Sequence, residues 1–428
     1  MTGPTATPTP PPRARWPVVA RLGGAQTLAW ASSFYLPALL ARPMAAELGI
    51  SEPAVFGAFS AALGVSALVG PHAGRQIDRH GGRPVLMATS GVFALGLLLL
   101  AAAPNALWLY LAWAVLGVGM GSGLYEGAFA ALVRLYGAEA RGPITGITLL
   151  GGFASTVGWP LTAALEHAWG WRGACATWAV LHLAVGLPLN AALPRTPGRP
   201  SDEPATAPNT SPGAPAPATM ALPAATPPQP RLGTVVALSW VFAVTLFIST
   251  ALAAHLPSLL AAVGAAPGTV IALAALVGPA QVAGRLLEFG ALRRLHPLQS
   301  ARLAALAHPL GAVLLAVFGV PAAAAFTLLH GAGNGILTIT KGTLPLALFG
   351  VAGYGQRQGW LMLPARLAQA LAPWLFGLLW AARGTEVLVW SAALAGTALA
   401  ALVWLRAPAE PDRGGEGGNR PTTVNAPR

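Results

Sequence analysis

Few side chains able to do polar chemistry stand deep inside the long apolar runs of this chain, and three of them carry charge: Glu126, Lys341 and Arg366. An ionisable group at membrane depth costs a few kcal/mol or more unless it is paired or hydrated. Such groups are kept for binding, for proton exchange or for a fixed pair. Lys341 is the only lysine in the sequence. At a rise of about 1.5 Å per residue, Glu126 lies about 12 Å inward from Arg134 and Arg366 about 13 Å inward from Arg357, so a carboxylate and a cation match in depth. Two bases against one acid favour an anionic ligand, and proton uptake by Glu126 would release a cation to it. Static contacts that fix helix packing are the other reading of the three. Gln26, Tyr35, Asn334, Thr338 and Gln369 offer hydrogen bonds either to a ligand or between helices. His330 reads as a packing residue.

Catalysis finds no support. The sequence holds no phosphate loop, no HExxH or CxxC, and no nucleophile with a base, so no cofactor and no metal is expected. Cys175 is the single cysteine, which excludes a disulfide framework. The formal charge of +12 is spread between apolar runs without a nucleic-acid-binding module.

The elements that must position these residues are membrane helices. Hydrophobic residues make up 55% of the 428 positions and charged ones 9%, against about 25% charged in a soluble domain. Apolar runs of about 20 residues span a hydrocarbon core of about 30 Å. Six such runs fill residues 16–193 and six more fill 233–406. Between them, 194–232 is Pro/Ala/Thr-rich and reads as a solvated linker; 1–15 and 407–428 read as disordered tails. The expected fold is therefore an all-α membrane protein of twelve transmembrane helices in two pseudo-symmetric six-helix bundles. Arg residues crowd the ends and loops on the side of the termini, which the positive-inside rule makes cytoplasmic, in a cell (inner) membrane. Trp16, Trp108, Trp169, Trp171 and Trp240 read as interfacial anchors, and Gly158-Trp159-Pro160 and Ala372-Pro373 as bends.

The halves repeat one another. Ala67-Leu68-Val69-Gly70-Pro71 recurs as Ala275-Leu276-Val277-Gly278-Pro279, and Gly119-x-Gly121-x-Gly123 as Gly331-x-Gly333-x-Gly335. The offset stays near 210 residues, and at that offset Glu288 falls on Asp78 and Arg285 on Arg75. Duplicated halves with a ligand between them at the midplane are a transporter architecture.

Between the second and third runs stands Gly74-Arg75-Gln76-Ile77-Asp78-Arg79-His80-Gly81-Gly82-Arg83. It resembles the signature G-x-x-x-D-[RK]-x-G-[RK]-[RK] of the major facilitator superfamily (MFS), with Gly82 where a basic residue is usual. The resemblance implies alternating access and a cytoplasmic gate formed by Gly74, Asp78, Arg79, Gly81 and Arg83. The stretch from Arg141, RGPITGITLLGGFASTVGWPL, and the stretch around Arg285, ALVGPAQVAGRLLE, are similar to the branch holding monocarboxylate and oxalate/formate carriers and some metalloid-efflux proteins. That branch places an arginine of the eighth helix at the substrate, here Arg285; the repeat instead sets Arg285 at the gate, the reading preferred from the residues. The resulting expectation is a monomeric secondary transporter of a small organic or inorganic anion, working in the lipid bilayer, with H+ as candidate coupling ion. Efflux of a neutral metalloid or amphipathic drug is the alternative, and a non-transporting sensor a remote one.

Overall fold

The computed structural model describes residues 15–195 and 231–406, and the expectations for the two tails and for most of the linker lie outside the described residues. All regular structure among these residues is helical. The first half holds α1 (Arg15–Ser32), α2 (Pro37–Leu48), α3 (Glu52–His80), α4 (Gly82–Ala101), α5 (Ala106–Gly123), α6 (Tyr125–Tyr136), α7 (Arg141–Gly151), α8 (Ala154–Leu181) and α9 (Leu187–Ala191). The second holds α10 (Leu232–Ala262), α11 (Pro267–Ala275), α12 (Val277–Gly290), α13 (Pro297–Phe318), α14 (Ala323–Phe349), α15 (Tyr354–Arg383) and α16 (Val387–Trp404).

Seven helical stretches are long and apolar enough to cross a membrane. Two of them are composites: 106–191 folds back on itself twice, and 354–404 once. The first and eighth spans are each two helices in line, α1 with α2 and α11 with α12; α1 carries Arg15, Arg21 and Gln26 and is less apolar than the seven, and α11 and α12 are each too short alone. Twelve spans result, the arrangement of the MFS fold. Large apolar side chains such as Leu68, Val317 and Trp374 are more than 60% exposed, as expected where lipid and not water covers the surface.

Apolar runs predict the spans but not their interruptions. The fourth span breaks at Leu124, whose backbone is extended between α5 and α6. The fifth breaks between α7 and α8, and Gly170, at φ 67°, turns the chain from the fifth span into the sixth inside α8. The bends expected at Pro160 and Pro373 are not breaks: α8 and α15 run on through them. Trp171 is corrected as an anchor, being 3% exposed with its indole N–H donated to Glu47. Trp16, Trp108, Trp169 and Trp240 are exposed.

The repeated glycines do the same work in both halves. A methyl group on Gly121 would lie 2.6 Å from the Ser66 carbonyl oxygen of α3, and one on its repeat counterpart Gly333 2.7 Å from the Ala304 carbonyl oxygen of α13. Each lets a helix backbone approach its neighbour as only small residues permit. The two halves keep separate apolar cores. A third core crosses between them, with Leu346 and Tyr354 of the second half packed among Ile77, Phe129 and Tyr136 of the first. It lies at the end bearing Arg15 and Arg406, called here the terminal end. At the opposite end, Arg172 ties the first half to itself, donating to Glu47 at 2.7 Å and to the carbonyls of Ala101 and Ala103 at 2.6 and 2.8 Å.

Candidate functional site

Two contacts close the terminal end between halves, and the sequence repeat relates them. Asp78, in the last turns of α3, accepts from the backbone N–H groups of Gly355 and Gln356 at 3.0 and 2.9 Å. These belong to the first turn of α15, where N–H groups lack partners within the helix and the dipole favours an anion. Asp78 therefore caps a helix of the other half. Gly74 makes this possible, because any Cβ there would overlap the Gly355 carbonyl. With its amide oxygen turned towards Arg75, Gln356 also accepts from that guanidinium at 2.8 Å. The related contact joins α12 to α7: Arg141 donates to Glu288 at 2.8 Å and to the Leu295 carbonyl at 2.7 Å. Glu288 is 1% exposed, so this pair is buried on its acidic side.

Of the other motif residues, Gly81 ends α3 at φ 85° and its N–H bonds the Ile77 carbonyl. Arg79 is exposed and Arg83 half-buried, and neither forms an ion pair among the described residues. Gly82, the departure from the signature, has a physical cause here: a Cβ would overlap that of Ala131 on α6.

Deeper in, the halves meet through charge. Leu124 starts α6, so Glu126 falls in that helix's first turn, where a carboxylate is favoured. Arg366 Nη2 donates to both Glu126 oxygens at 2.9 and 2.8 Å, and its Nη1 donates to Gln369 at 2.8 Å. Arg366 is buried, and the Glu126 side chain keeps 17% of its exposure. Lys341 is half-buried on α14, within electrostatic reach of Arg366, Glu126 and Arg285, yet its ammonium group has no hydrogen bond or ion pair among the described residues. Its own carbonyl would be orphaned, since Pro345 four residues on has no N–H. Gln358 of α15 supplies the missing donor at 2.9 Å, which fixes α14 against α15 beside the site.

Arg285 is corrected against the gate reading. Glu288, one turn further along α12, makes the terminal-end contact, but Arg285 itself is 7% exposed and extends to Gly152, at the break of the fifth span. There it lies within electrostatic reach of Tyr35 and Tyr125 and has no hydrogen bond among the described residues. Tyr35 lies in the break between α1 and α2, with its ring 6.3 Å from Trp30 and 5.8 Å from Trp159. Tyr125 packs on Trp30 at 4.9 Å and stacks on Phe129 at 5.4 Å.

Three candidates are not brought to this place. Gln26 is buried inside the first half, where it donates to the Gly123 carbonyl at 2.7 Å beside Ser90, His182 and Asn190. Asn334 lines a small cavity inside the second half, and Thr338 bonds the Asn334 carbonyl of its own helix at 2.8 Å. That cavity, of ≈ 40 Å³, has room for a few waters. His330 is not a lone packing residue: its Nδ1 lies 3.1 Å from that of His308 at the cavity wall. The sequence reading also missed Trp30, Tyr125 and the latch role of Arg141. The first two look like ordinary apolar-run aromatics, and only adjacency to Glu126 marks Tyr125.

Helical spans in duplicated halves, a carboxylate latch across them and a charged mid-depth site define a membrane transporter fold. Residues 22–319 match the family model described as Major Facilitator Superfamily, and the chain belongs to that superfamily. Among curated proteins it is similar to the multidrug resistance protein B homolog of Mycobacterium tuberculosis (strain CDC 1551 / Oshkosh), 34% identical over 148 residues. That alignment covers 34% of this chain and 26% of the relative, so the chain spans about a quarter of the curated relative's length. Among solved structures, the human organic anion transporter MFSD10 (TETRAN) superposes with a TM-score of 0.64 at 16% identity, covering 92% of this chain and all of that one. The MFS transporter FucP in its outward conformation gives 0.67 at 14% identity over 90% of this chain and 97% of its own. At these identities the likeness is one of fold.

Proposed function

We propose that the chain is a secondary active transporter that moves a small anion between its halves by alternating access, with the terminal end cytoplasmic. One observation carries this reading. Of the three cations at the mid-depth interface, Arg366 is paired with Glu126, whereas Lys341 and Arg285 form no ion pair with a carboxylate among the described residues. Two uncompensated cations in a poorly hydrated place favour a ligand that brings negative charge. Glu126 adds a coupling route: its protonation frees Arg366 for the anion, and anion release lets the pair re-form. Proton movement and substrate movement then share one cation. The likeness of the Arg141 and Arg285 stretches to the monocarboxylate and oxalate/formate branch supports the same class.

The test is flux in proteoliposomes against carboxylates, inorganic oxyanions and arsenite, with and without a pH gradient. Saturable movement of anions, absent for neutral analogues, is the expected result. The second reading, efflux of an amphipathic drug, draws on the similarity to a multidrug resistance protein homolog. With neutral and cationic lipophiles added to the same panel, it would appear as movement of these and none of anions.

A further inference from the structure

Around the mid-depth site the two halves supply different chemistry. The second half contributes the cations Arg285, Lys341 and Arg366; the first contributes rings. Apart from Trp16 with Phe289 at the terminal end, every contact between Phe, Tyr and Trp rings among the described residues lies in the first half. These rings form a continuous wall. Trp30 touches Phe34 at 5.2 Å, Tyr125 at 4.9 Å and Tyr35 at 6.3 Å, and Tyr35 continues to Trp159. The wall is not sealed in a core: Trp30, Phe34 and Tyr35 are only half-buried. Helix packing alone does not call for it, because the core of the second half is built mostly from Leu, Ala and Val. The Trp30 indole N–H is buried without an acceptor among the described residues, an unusual cost for a donor.

Arg285 reaches this wall from the other half: its guanidinium lies against Gly152, and the Tyr125 hydroxyl lies against the neighbouring Gly151. The unpartnered cations and the rings therefore stand together. A small inorganic oxyanion would use the cations and gain nothing from the rings. An aliphatic acid would gain burial alone. A planar aromatic acid would gain burial and ring stacking, and its carboxylate would answer the cations.

We infer that the substrate class is an aryl carboxylate, with its ring against Trp30, Tyr35 and Tyr125 and its carboxylate towards Arg285 and Lys341. This rests on the anion reading of the same site and narrows it. Aromatic pairs are worth about 0.5–1.5 kcal/mol beyond their buried area, so the aromatic ring confers a preference of roughly two- to tenfold over a saturated ring of like size.

The experiment uses the full-length protein in proteoliposomes, with radiolabelled benzoate counterflow as probe and benzoate, cyclohexanecarboxylate and sulfate as competitors. Benzoate is expected to compete at a several-fold lower concentration than cyclohexanecarboxylate, and sulfate only weakly. Trp30→Leu should erase the difference between the two ring acids, and Trp30→Phe should keep it, which separates loss of the ring from loss of folding. Equal competition by the two ring acids in the wild-type protein, or a preference that survives Trp30→Leu, overturns the inference. Exchange of sulfate without benzoate also overturns it while leaving the anion reading in place. Movement of no anion at all removes both.

Discussion

Replacing Asp78 by Asn tests whether the contact of α3 with the start of α15 holds the terminal end shut. The carboxylate accepts two backbone N–H groups, from Gly355 and Gln356. An amide keeps one oxygen for one of them and turns an NH2 group on the other. One charge-assisted bond is lost, about 1.5–3 kcal/mol, together with about 0.3–1 kcal/mol of interaction with the helix dipole. The sum, about 2–4 kcal/mol, shifts the balance between closed and open terminal ends by tens- to several hundred-fold. Spin labels at Pro84→Cys and Arg294→Cys, exposed positions on opposite halves at this end, report that balance as a distance distribution. The native Cys175 is buried and leaves the labelling to the introduced sites. The wild-type protein should populate the short distance, and Asp78→Asn should transfer most of it to a longer one with the protein still folded. An unchanged distribution would mean that the latch contributes less than about 1 kcal/mol, and the gating argument would fail.

Further outcomes follow from neighbouring contacts. Gly82→Ala places a methyl into Ala131 and should lower thermal stability by about 1–3 kcal/mol, with Ala131→Gly in the same protein recovering most of it; a neutral single variant would refute the close approach. Arg141→Gln strands the buried carboxylate of Glu288 and should cost about 3–5 kcal/mol in denaturation, whereas the double variant with Glu288→Gln should cost clearly less. Glu126→Gln should abolish dependence of transport on a pH gradient while anion binding persists. Exchanging the charges, Glu126→Arg with Arg366→Glu, should restore more transport than either single reversal, and a double variant no better than the singles would show that the pair is not direct.

Span number and the repeat were legible because both rest on features that survive in one dimension: runs of about 20 apolar residues, and glycines at fixed offsets. The contact of Asp78 across the halves was legible for a like reason. Asp78 stands out as an acid in a basic loop, and the repeat points from it to Glu288, though not to Arg141, whose role depends on the start of α7 facing α12. Charge at depth identified Glu126, Lys341 and Arg366. Gln26, Asn334 and Thr338 misled because a polar residue in an apolar run looks alike whether it faces the other half or its own bundle. That choice depends on helix rotation, and the breaks at Leu124 and between α7 and α8 reset the rotation with no proline to announce it. The same breaks carry Tyr125 and Gly152 to the site. The repeat set Arg285 at the gate beside Glu288, but a repeat does not tell whether a long side chain turns towards the surface or towards the middle.

The most direct test of the central claim is equilibrium binding of benzoate and of its neutral isostere benzamide to the purified protein, in wild type, Lys341→Gln and Arg285→Gln. The site described here predicts that the wild type binds benzoate and discriminates against benzamide. Each substitution should weaken benzoate at least tenfold, the scale of a lost charge-assisted hydrogen bond of about 1.5–3 kcal/mol, with little effect on benzamide. Equal affinity for the two ligands in the wild type, or benzoate binding unaltered in both variants, would contradict it.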